Sequence, residues 1–171
     1  MVEGLKRNVV NLNAAESTGI DHDVVLNGVE NILLEGDKRA DVLGAQGGAA
    51  TGKSTTLSVR LVGGRGKDKL TGSRFGDRIE GGGFACSPCK ARKVIKGMGG
   101  PDQITSSDGR DRILGGKGND EISGKQGNDK LFGNRGQDEL KGAQGNDRLD
   151  GGPDRDDCTG GPGFNTIKNC E

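Results

Sequence analysis

The chain has 171 residues, of which 34 are glycine, and hydrophobic residues make up only 29% of it. With no Trp, no Tyr and four Phe, this composition excludes an ordinary aromatic-rich core, and the length suits one domain or at most two small ones. The 25 basic residues balance the 25 acidic ones, so no nucleic-acid-binding footprint is expected, and no apolar run approaches the ~18 residues of a membrane-spanning helix.

Residues 1–35 form an irregular lead-in. Asn8–Asn13 and Asn27–Leu34 have the composition of short β-coils, which we predict to cap the amino-terminal end of the fold. The first seven residues lack the apolar stretch of a signal peptide, so an exported form would have lost its signal, use another one, or be an excised piece. The single histidine, His22, has no visible catalytic partner.

Residues 36–80 contain partly degenerate copies of a nine-residue repeat. Gly63–Thr71 and Gly72–Glu80 each carry Asp at the sixth position and Leu or Ile at the eighth. A degenerate copy that contains Asp41 lies 27 residues, or three units, before the first of these copies. A still more degenerate copy upstream contains Asp23. The repeat therefore starts well before its regular part.

A possible nucleotide site lies between these copies. Gly47–Ser54 satisfies the pattern G-x-x-x-x-G-K-[ST] of a phosphate-binding loop. That loop needs a helix directly after it, whereas residues 55–62 alternate and are rich in β-branched side chains, which predicts a strand. We therefore interpret the segment as an irregular turn and propose neither Lys53 nor Ser54 as a ligand.

Residues 81–96 form an enlarged turn, seven residues longer than one unit. Residues 94–96 are the predicted strand, with Ile95 pointing inward, and residues 81–93 are the turn that contains the sequence CSPC. Lys93 stands where the other units have Asp, close to Lys90 and Arg92.

Residues 97–168 are eight consecutive units without a slip, followed by a tail at 169–171. Each unit has an acid or amide at its sixth position and, at its eighth, an aliphatic residue or cysteine. The sixth positions are Asp102, Asp111, Asp120, Asp129, Asp138, Asp147, Asp156 and Asn165. The eighth positions are Ile104, Ile113, Ile122, Leu131, Leu140, Leu149, Cys158 and Ile167.

This period predicts an all-β architecture of turns and short strands. The glycine-rich first half of each unit favours a turn, and its last three residues alternate as in a strand with one inward side chain. Two units make a coil of 18 residues, and stacked coils give two parallel sheets facing across an aliphatic seam. One buried aliphatic per unit stabilises by ~2 kcal/mol, whereas ordering nine residues costs on the order of 10 kcal/mol. The carboxylate in each turn therefore indicates a bound cation.

The units resemble the repeats-in-toxin family, also called haemolysin-type calcium-binding repeats, whose pattern is G-G-x-G-x-D-x-U-x. The strong match covers residues 63–80 and 97–168, and residues 18–44 match more weakly. The resemblance implies a single parallel β-roll over residues 1–171, a two-sheet β-solenoid with calcium-binding turns. Units two apart would clamp calcium between sixth-position carboxylates and turn carbonyls, which are the hard oxygen ligands that calcium prefers.

About five or six calcium sites are expected, concentrated in residues 97–165. The implied side-chain ligands are Asp77, Asp102, Asp111, Asp120, Asp129, Asp138, Asp147, Asp156 and Asn165. The implied carbonyl ligands lie near Gly99, Gly100, Gly116, Gly118, Gly127, Gly136, Gly145, Gly152, Gly161 and Gly163. Weaker candidates are Asp23, Asp41 and Asp68. A metal-free turn repeat is the alternative, but its stacked carboxylates would repel one another.

Lys93 argues against calcium in its own turn. We expect the basic side chains there to replace an ion in part, by pairing with a neighbouring acidic turn.

The four cysteines form two local pairs. Cys86 and Cys89 are expected to bridge the enlarged turn, because zinc would need two further ligands and a redox motif would need a βαβ context. A bridge between Cys158 and Cys170 would hold the last coil, with a free, buried Cys158 as the alternative. Two such pairs favour an oxidising, extracellular setting.

The outward residues sort by sheet. One sheet should carry an acidic row of Glu121, Glu139 and Asp157, and the other a basic row of Arg112, Lys130 and Arg148. The basic sheet also carries neighbouring apolar residues, Leu114 and Phe132, which we predict to be exposed. Such a pair can mark a contact surface, although it also fits ordinary solubility patterning.

These features favour a secreted, calcium-dependent β-roll that folds on binding calcium and acts as a non-catalytic folding, stability or secretion module. The resemblance implies bacterial secretion, often as part of a larger polypeptide, and we expect a monomer with calcium as its cofactor. An adhesin or ligand-binding module that uses the outer face is the alternative. An enzyme, either a nucleotide hydrolase through Gly47–Ser54 or a polysaccharide lyase, is more remote, because neither a Ser-His-Asp set nor H-E-x-x-H is present.

Overall fold

Short β-strands are the only regular elements in the part of the chain that the computed structural model describes, which is residues 8–11, 32–35, 42–44, 59–82 and 91–171. Each strand of a regular unit contains the eighth-position residue that the repeat supplies. The strands are β1 (Asn8–Asn11), β2 (Ile32–Glu35), β3 (Val42–Gly44), β4 (Val59–Val62), β5 (Lys69–Thr71), β6 (Arg78–Glu80), β7 (Val94–Gly99), β8 (Gln103–Thr105), β9 (Arg112–Lys117), β10 (Glu121–Ser123), β11 (Lys130–Arg135), β12 (Glu139–Lys141), β13 (Arg148–Asp150), β14 (Asp157–Thr159) and β15 (Thr166–Lys168).

The strands form two parallel sheets that the chain visits alternately. The first sheet has the order β1-β2-β4-β6-β8-β10-β12-β14, and the second has the order β15-β13-β11-β9-β7-β5-β3. In the regular part, neighbouring strands pair residues 18 positions apart, as Ile122 with Leu140 and Leu131 with Leu149. The predicted parallel β-roll with 18 residues per coil is therefore confirmed.

A single file of aliphatic side chains fills the seam between the sheets. The buried members are at most 4% exposed, and eighth-position residues from Leu70 to Leu149 supply all but two of them. They are Val59, Leu61, Leu70, Ile79, Ile95, Ile104, Ile113, Ile122, Leu131, Leu140 and Leu149. The seam ends at the last coil, where Cys158 is half-buried and Ile167 is 45% exposed.

The enlarged turn adds its length without disturbing the stack. Leu70 pairs with Ile95 and Ile79 pairs with Ile104, each 25 positions apart, so both sheets absorb seven extra residues at 81–93. Ile95 is fully buried, as predicted.

The degenerate copy at residues 42–44 keeps the register of the repeat but not the regular spacing of the coils. Leu43, the eighth residue of that copy, pairs in the second sheet with Leu70, the eighth residue of the Gly63–Thr71 unit. Ile32 and Val59 pair across the same offset of 27 in the first sheet. Neighbouring strands of both sheets are therefore 27 positions apart here, nine more than in the regular part.

Several sequence predictions lie outside the described residues: those for Asp23, Asp41, His22, Gly47–Ser54 and the Cys86–Cys89 pair. The strand predicted after the glycine-rich segment is present as β4, Val59–Val62. Within the described ranges, no helix is long and apolar enough to span a membrane.

Candidate metal centre

Turns of successive coils approach each other so closely that their backbones touch. At the fourth position of the unit, Gly127 has a φ of 141°, and a Cβ placed on it would collide with the carbonyl oxygen of Gly109 in the preceding coil. No residue with a side chain fits at Gly127, although Phe75 and Asp154 stand at the fourth position of their own units. The second position is less restricted, since Lys125 and Ala143 occupy it in the left-handed region with φ of 73° and 72°.

The sixth-position residues stack into two ladders, one along the turns of each sheet. In both ladders, the backbone N–H of one sixth-position residue donates to the Oδ1 atom of the sixth-position residue one coil later, at 2.7–2.9 Å. The first ladder contains Asp77, Asp102, Asp120, Asp138 and Asp156. The second contains Lys93, Asp111, Asp129, Asp147 and Asn165, with Asp68 paired to Lys93 at its start. The ladders bring together every pair of units expected to clamp an ion, including Asp77 with Asp102 across the enlarged turn.

The second carboxylate oxygen, Oδ2, distinguishes two classes of turn. In one class it is buried and has no hydrogen-bond partner, and each of these aspartates is at most 3% exposed. The class comprises Asp102, Asp120, Asp129, Asp138, Asp147 and Asp156. Leaving a buried carboxylate oxygen unpaired is strongly unfavourable, and carboxylate and carbonyl oxygens are the ligands of calcium. The donor set therefore fits calcium.

Burial makes these carboxylates reluctant to ionise. Desolvation raises the pKa of Asp102 to about 8, those of Asp120 and Asp129 to about 7, and that of Asp138 to about 6, and neighbouring carboxylates in the ladder add to each shift. Burial also raises the pKa of Asp147. Without a cation, several turns would thus hold protons near neutral pH.

In the other class the chain itself satisfies the carboxylate. The Lys93 ammonium group lies 2.5 Å from Asp68 Oδ2, and both side chains are buried. The Ser73 backbone N–H donates to Asp77 Oδ2 at 2.5 Å, and the Ser106 hydroxyl donates to Asp111 Oδ2.

The Lys93 contact agrees with the pairing expected from the sequence, whereas the role of the serines was missed. The signal was present for Ser106, which stands at the first position of its unit, where the other regular units have glycine. Ser73 offers no such signal, because it reaches Asp77 Oδ2 through its backbone N–H and only Oδ1 through its hydroxyl group. At Gly115, a regular first position, a Cβ would meet Asp120 Oδ2, so a serine here faces the carboxylate.

A cation in these turns would need backbone ligands. Within the described ranges, no three His, Cys, Asp or Glu side chains lie close enough to hold a metal by themselves. The carbonyl oxygens of Gly64 and Gly66, at the second and fourth positions, lie 3.1 and 3.2 Å from the Lys93 Nζ atom. Carbonyls at these positions therefore face the place where a cation sits beside the sixth-position carboxylate.

The outer faces of the sheets carry the two expected charged rows. Pairing aligns Glu121, Glu139 and Asp157 on the first sheet. It aligns Arg112, Lys130 and Arg148 on the second, where Leu114 and Phe132 are also neighbours. Both apolar residues are half-buried rather than fully exposed, and the Arg112 guanidinium lies 4.8 Å from the centre of the Phe132 ring.

The last coil is held by a covalent bond. Cys158 and Cys170 form a disulfide with their Cα atoms 5.7 Å apart, as predicted. The bond ties the tail after β15 to β14.

One comparison with known proteins gave a match. The family model of the RTX calcium-binding nonapeptide repeat, in four copies, matches residues 61–83, 96–131 and 132–167, which together are more than half of the chain. No curated protein and no solved structure matches the chain. The matched residues contain all six aspartates whose Oδ2 atoms lack a partner.

Proposed function

This chain belongs to the RTX calcium-binding nonapeptide repeat family, and we propose that it is a non-catalytic module whose roll is completed by calcium outside the cell. The family and the β-roll make it a calcium-binding module. Proteins of this family are generally secreted bacterial proteins. We further propose that the roll completes its folding on binding calcium outside the cell and that the six aspartates with an unpartnered Oδ2 atom hold the ions.

The unpartnered Oδ2 atoms carry the proposal. Six buried carboxylates in a chain with a thin aliphatic seam place negative charge where water cannot solvate it. When bound, calcium supplies positive charge and coordination to these oxygens and to turn carbonyls. About six ions are expected, one for each carboxylate oxygen that the chain does not satisfy.

The arrangement of the carboxylates should make folding depend on the calcium concentration of the surrounding solution. Each turn holds its carboxylate in position only when the preceding coil is in place, since Oδ1 accepts from a backbone N–H of that coil. An unfolded chain has no such arrangement, so the ion stabilises the folded form by mass action. Extracellular calcium modules bind at ~0.1–1 mM. The chain would therefore remain incompletely folded in a calcium-poor cytoplasm and complete its roll outside.

Counting bound ions tests the proposal directly. Equilibrium dialysis of the full chain against calcium should show uptake of about six ions per chain, with little uptake of magnesium, because magnesium demands a rigid octahedral geometry. Uptake of no calcium at 5–10 mM, roughly tenfold above the expected range, would refute it.

Binding through the outer face of the second sheet is the second candidate function, favoured by the aligned basic row and the Leu114–Phe132 pair. Replacing Phe132 with Ser should leave the calcium-loaded fold intact and reduce retention on bacterial cell-wall or host-surface material. Unchanged retention would contradict this function, and loss of folding would place Phe132 in the core.

A further inference from the structure

The backbone of Lys93 makes the same hydrogen bonds in the second ladder as the backbone of a sixth-position aspartate. Its backbone N–H donates to Asp111 Oδ1 at 2.7 Å, and its carbonyl accepts from Arg112 N at 3.0 Å, as Asp102 does from Glu121 N in the first ladder. Only the side chain differs. The fold therefore accommodates lysine at this position without a change in the stack.

The Lys93 ammonium group has a complete set of oxygen acceptors. It contacts Asp68 Oδ2 at 2.5 Å and the carbonyls of Gly64 and Gly66 at 3.1 and 3.2 Å, which uses its three donors. The side chain is 1% exposed and that of Asp68 is fully buried. A buried ammonium group requires such pairing, and this one has it in full.

Replacing an aspartate and its calcium ion with a lysine also preserves the net charge of the turn. An aspartate plus a calcium ion carries a net charge of +1, and a single lysine carries the same charge. Lys93 can therefore replace both the sixth-position carboxylate and the ion it would hold, with the local charge of the ladder unchanged.

We infer that Lys93 is a built-in substitute for calcium that fixes the adjoining coils without metal, so that the calcium-binding coils assemble on a pre-folded amino-terminal part of the roll. The inference rests on the proposed function for the role of the remaining turns. It is supported by Asp77 and Asp111, whose Oδ2 atoms accept from Ser73 and Ser106. In the second ladder the unpartnered oxygens begin only at Asp129.

Hydrogen exchange in EDTA tests the inference by comparing strands within one sheet. β5 and β7 flank the Lys93–Asp68 contact, whereas β11 and β13 flank the Asp129–Asp147 pair, and all four are interior strands of the second sheet. We expect amides of β5 and β7 to remain at least tenfold better protected than those of β11 and β13 in EDTA. In calcium, all four strands should be protected. Equal, rapid exchange of all four strands in EDTA would overturn the inference.

Variants at Lys93 give an independent readout. Lys93→Asp restores the usual residue of the repeat, so it should bind one more calcium ion per chain than the parent and lose the protection of β5 and β7 in EDTA. Lys93→Met should lose that protection without gaining an ion, because Asp68 is then buried without its cation. Lys96→Met, at an exposed position of β7, is the matched control and should change neither measurement.

The outcomes separate this inference from the proposed function. Protection of β5 and β7 in EDTA without calcium uptake by the parent would refute the function and leave the role of Lys93 standing. Calcium uptake by the parent, with no ion gained by Lys93→Asp and no selective protection in EDTA, would refute the role of Lys93 alone.

Discussion

At the scale of single residues, the two oxygens of each ladder carboxylate have different neighbours. Oδ1 of Asp120 accepts from the backbone of Asp102 in the preceding coil, whereas its Oδ2 has no partner. Asn165 makes the first of these contacts, because its side-chain oxygen accepts from Asp147 N at 2.8 Å. The hydrogen bond and the charge can therefore be separated by a single substitution.

Asp120→Asn should keep the ladder and weaken calcium binding. The amide oxygen can accept the same backbone hydrogen bond, but the site loses one ligand charge, so the calcium concentration at half-folding should rise roughly tenfold. Circular dichroism titrations of the variant and the parent would measure this. Glu121→Gln, which removes a charge at the next, exposed position, is the control and should shift the midpoint less than about twofold.

The raised pKa values of the ladder predict a pH dependence with a definite sign. Asp102, Asp120, Asp129 and Asp138 have folded-state pKa values of about 6 to about 8, above the ordinary value of 3.8. The folded chain therefore binds more protons than the unfolded chain at pH values between the ordinary pKa and these raised pKa values. Without calcium, stability should therefore rise as pH falls through this window and be lost as pH rises through it.

Chemical denaturation in EDTA at several pH values between 4 and 8 would measure this dependence. A calcium titration at pH 6 should have a higher midpoint than one at pH 8, because protons compete for the same oxygens. Stability in EDTA that increases with pH over this range would contradict the assignment of these carboxylates as buried and uncompensated.

Sequence reasoning placed every ladder aspartate of the regular part but could not separate the two classes of Oδ2. The sixth position is fixed by the period, whereas the partner of each Oδ2 is a side chain or a backbone N–H elsewhere in the turn or in the next coil. Lys93 was identified because it replaces an aspartate outright. Ser73 and Ser106 were missed because a serine in a glycine-rich turn also reads as ordinary turn chemistry.

At the scale of the turn and strand, close contact between coils restricts Gly127, at the fourth position of its unit, to glycine. Gly127→Ala should destabilise the calcium-loaded roll by at least about 1–3 kcal/mol, because the new Cβ would overlap the Gly109 carbonyl at a φ of 141°. Urea denaturation in saturating calcium would measure it. Lys125→Ala, at the second position of the same turn, should cost less than about 1 kcal/mol, because that residue already has a side chain at positive φ. Equal losses would show that the turns are not in backbone contact.

The disulfide at the last coil predicts a local effect. Replacing Cys158 and Cys170 together with Ser opens a loop with a sequence separation of 12, for which the expected loss is up to about 3 kcal/mol. The loss of stability should be largest in β14 and β15, where the aliphatic core ends and Ile167 is 45% exposed. Hydrogen exchange in calcium should show faster exchange in these strands and little change in β9 and β10. Uniform acceleration along the chain would contradict a local role.

Strand positions were predictable because each unit offers one inward residue and no alternative register. The sequence analysis assigned no sheet to the degenerate copy at residues 42–44, because a count of units does not show that strands there pair 27 positions apart instead of 18. Pairing in three dimensions, and not the count, decides the sheet.

At the scale of the whole molecule, the roll consists of two sheets closed over one file of side chains, with a carboxylate ladder along the turns of each sheet. The seam supplies one aliphatic residue per strand, which is too little to order the turns by itself. The ladders add buried charge that only a cation, or Lys93 at one point, compensates. We therefore expect folding and cation binding to be one process over the calcium-binding coils.

Far-UV circular dichroism of the full chain in EDTA, followed by calcium titration with magnesium as control, tests this claim most directly. We predict a weak β signal in EDTA, from the coils around Lys93, that rises severalfold and cooperatively with calcium at ~0.1–1 mM and does not respond to magnesium. A full β spectrum already present in EDTA at pH 8, unchanged by calcium, would contradict it and show that the seam and disulfide suffice.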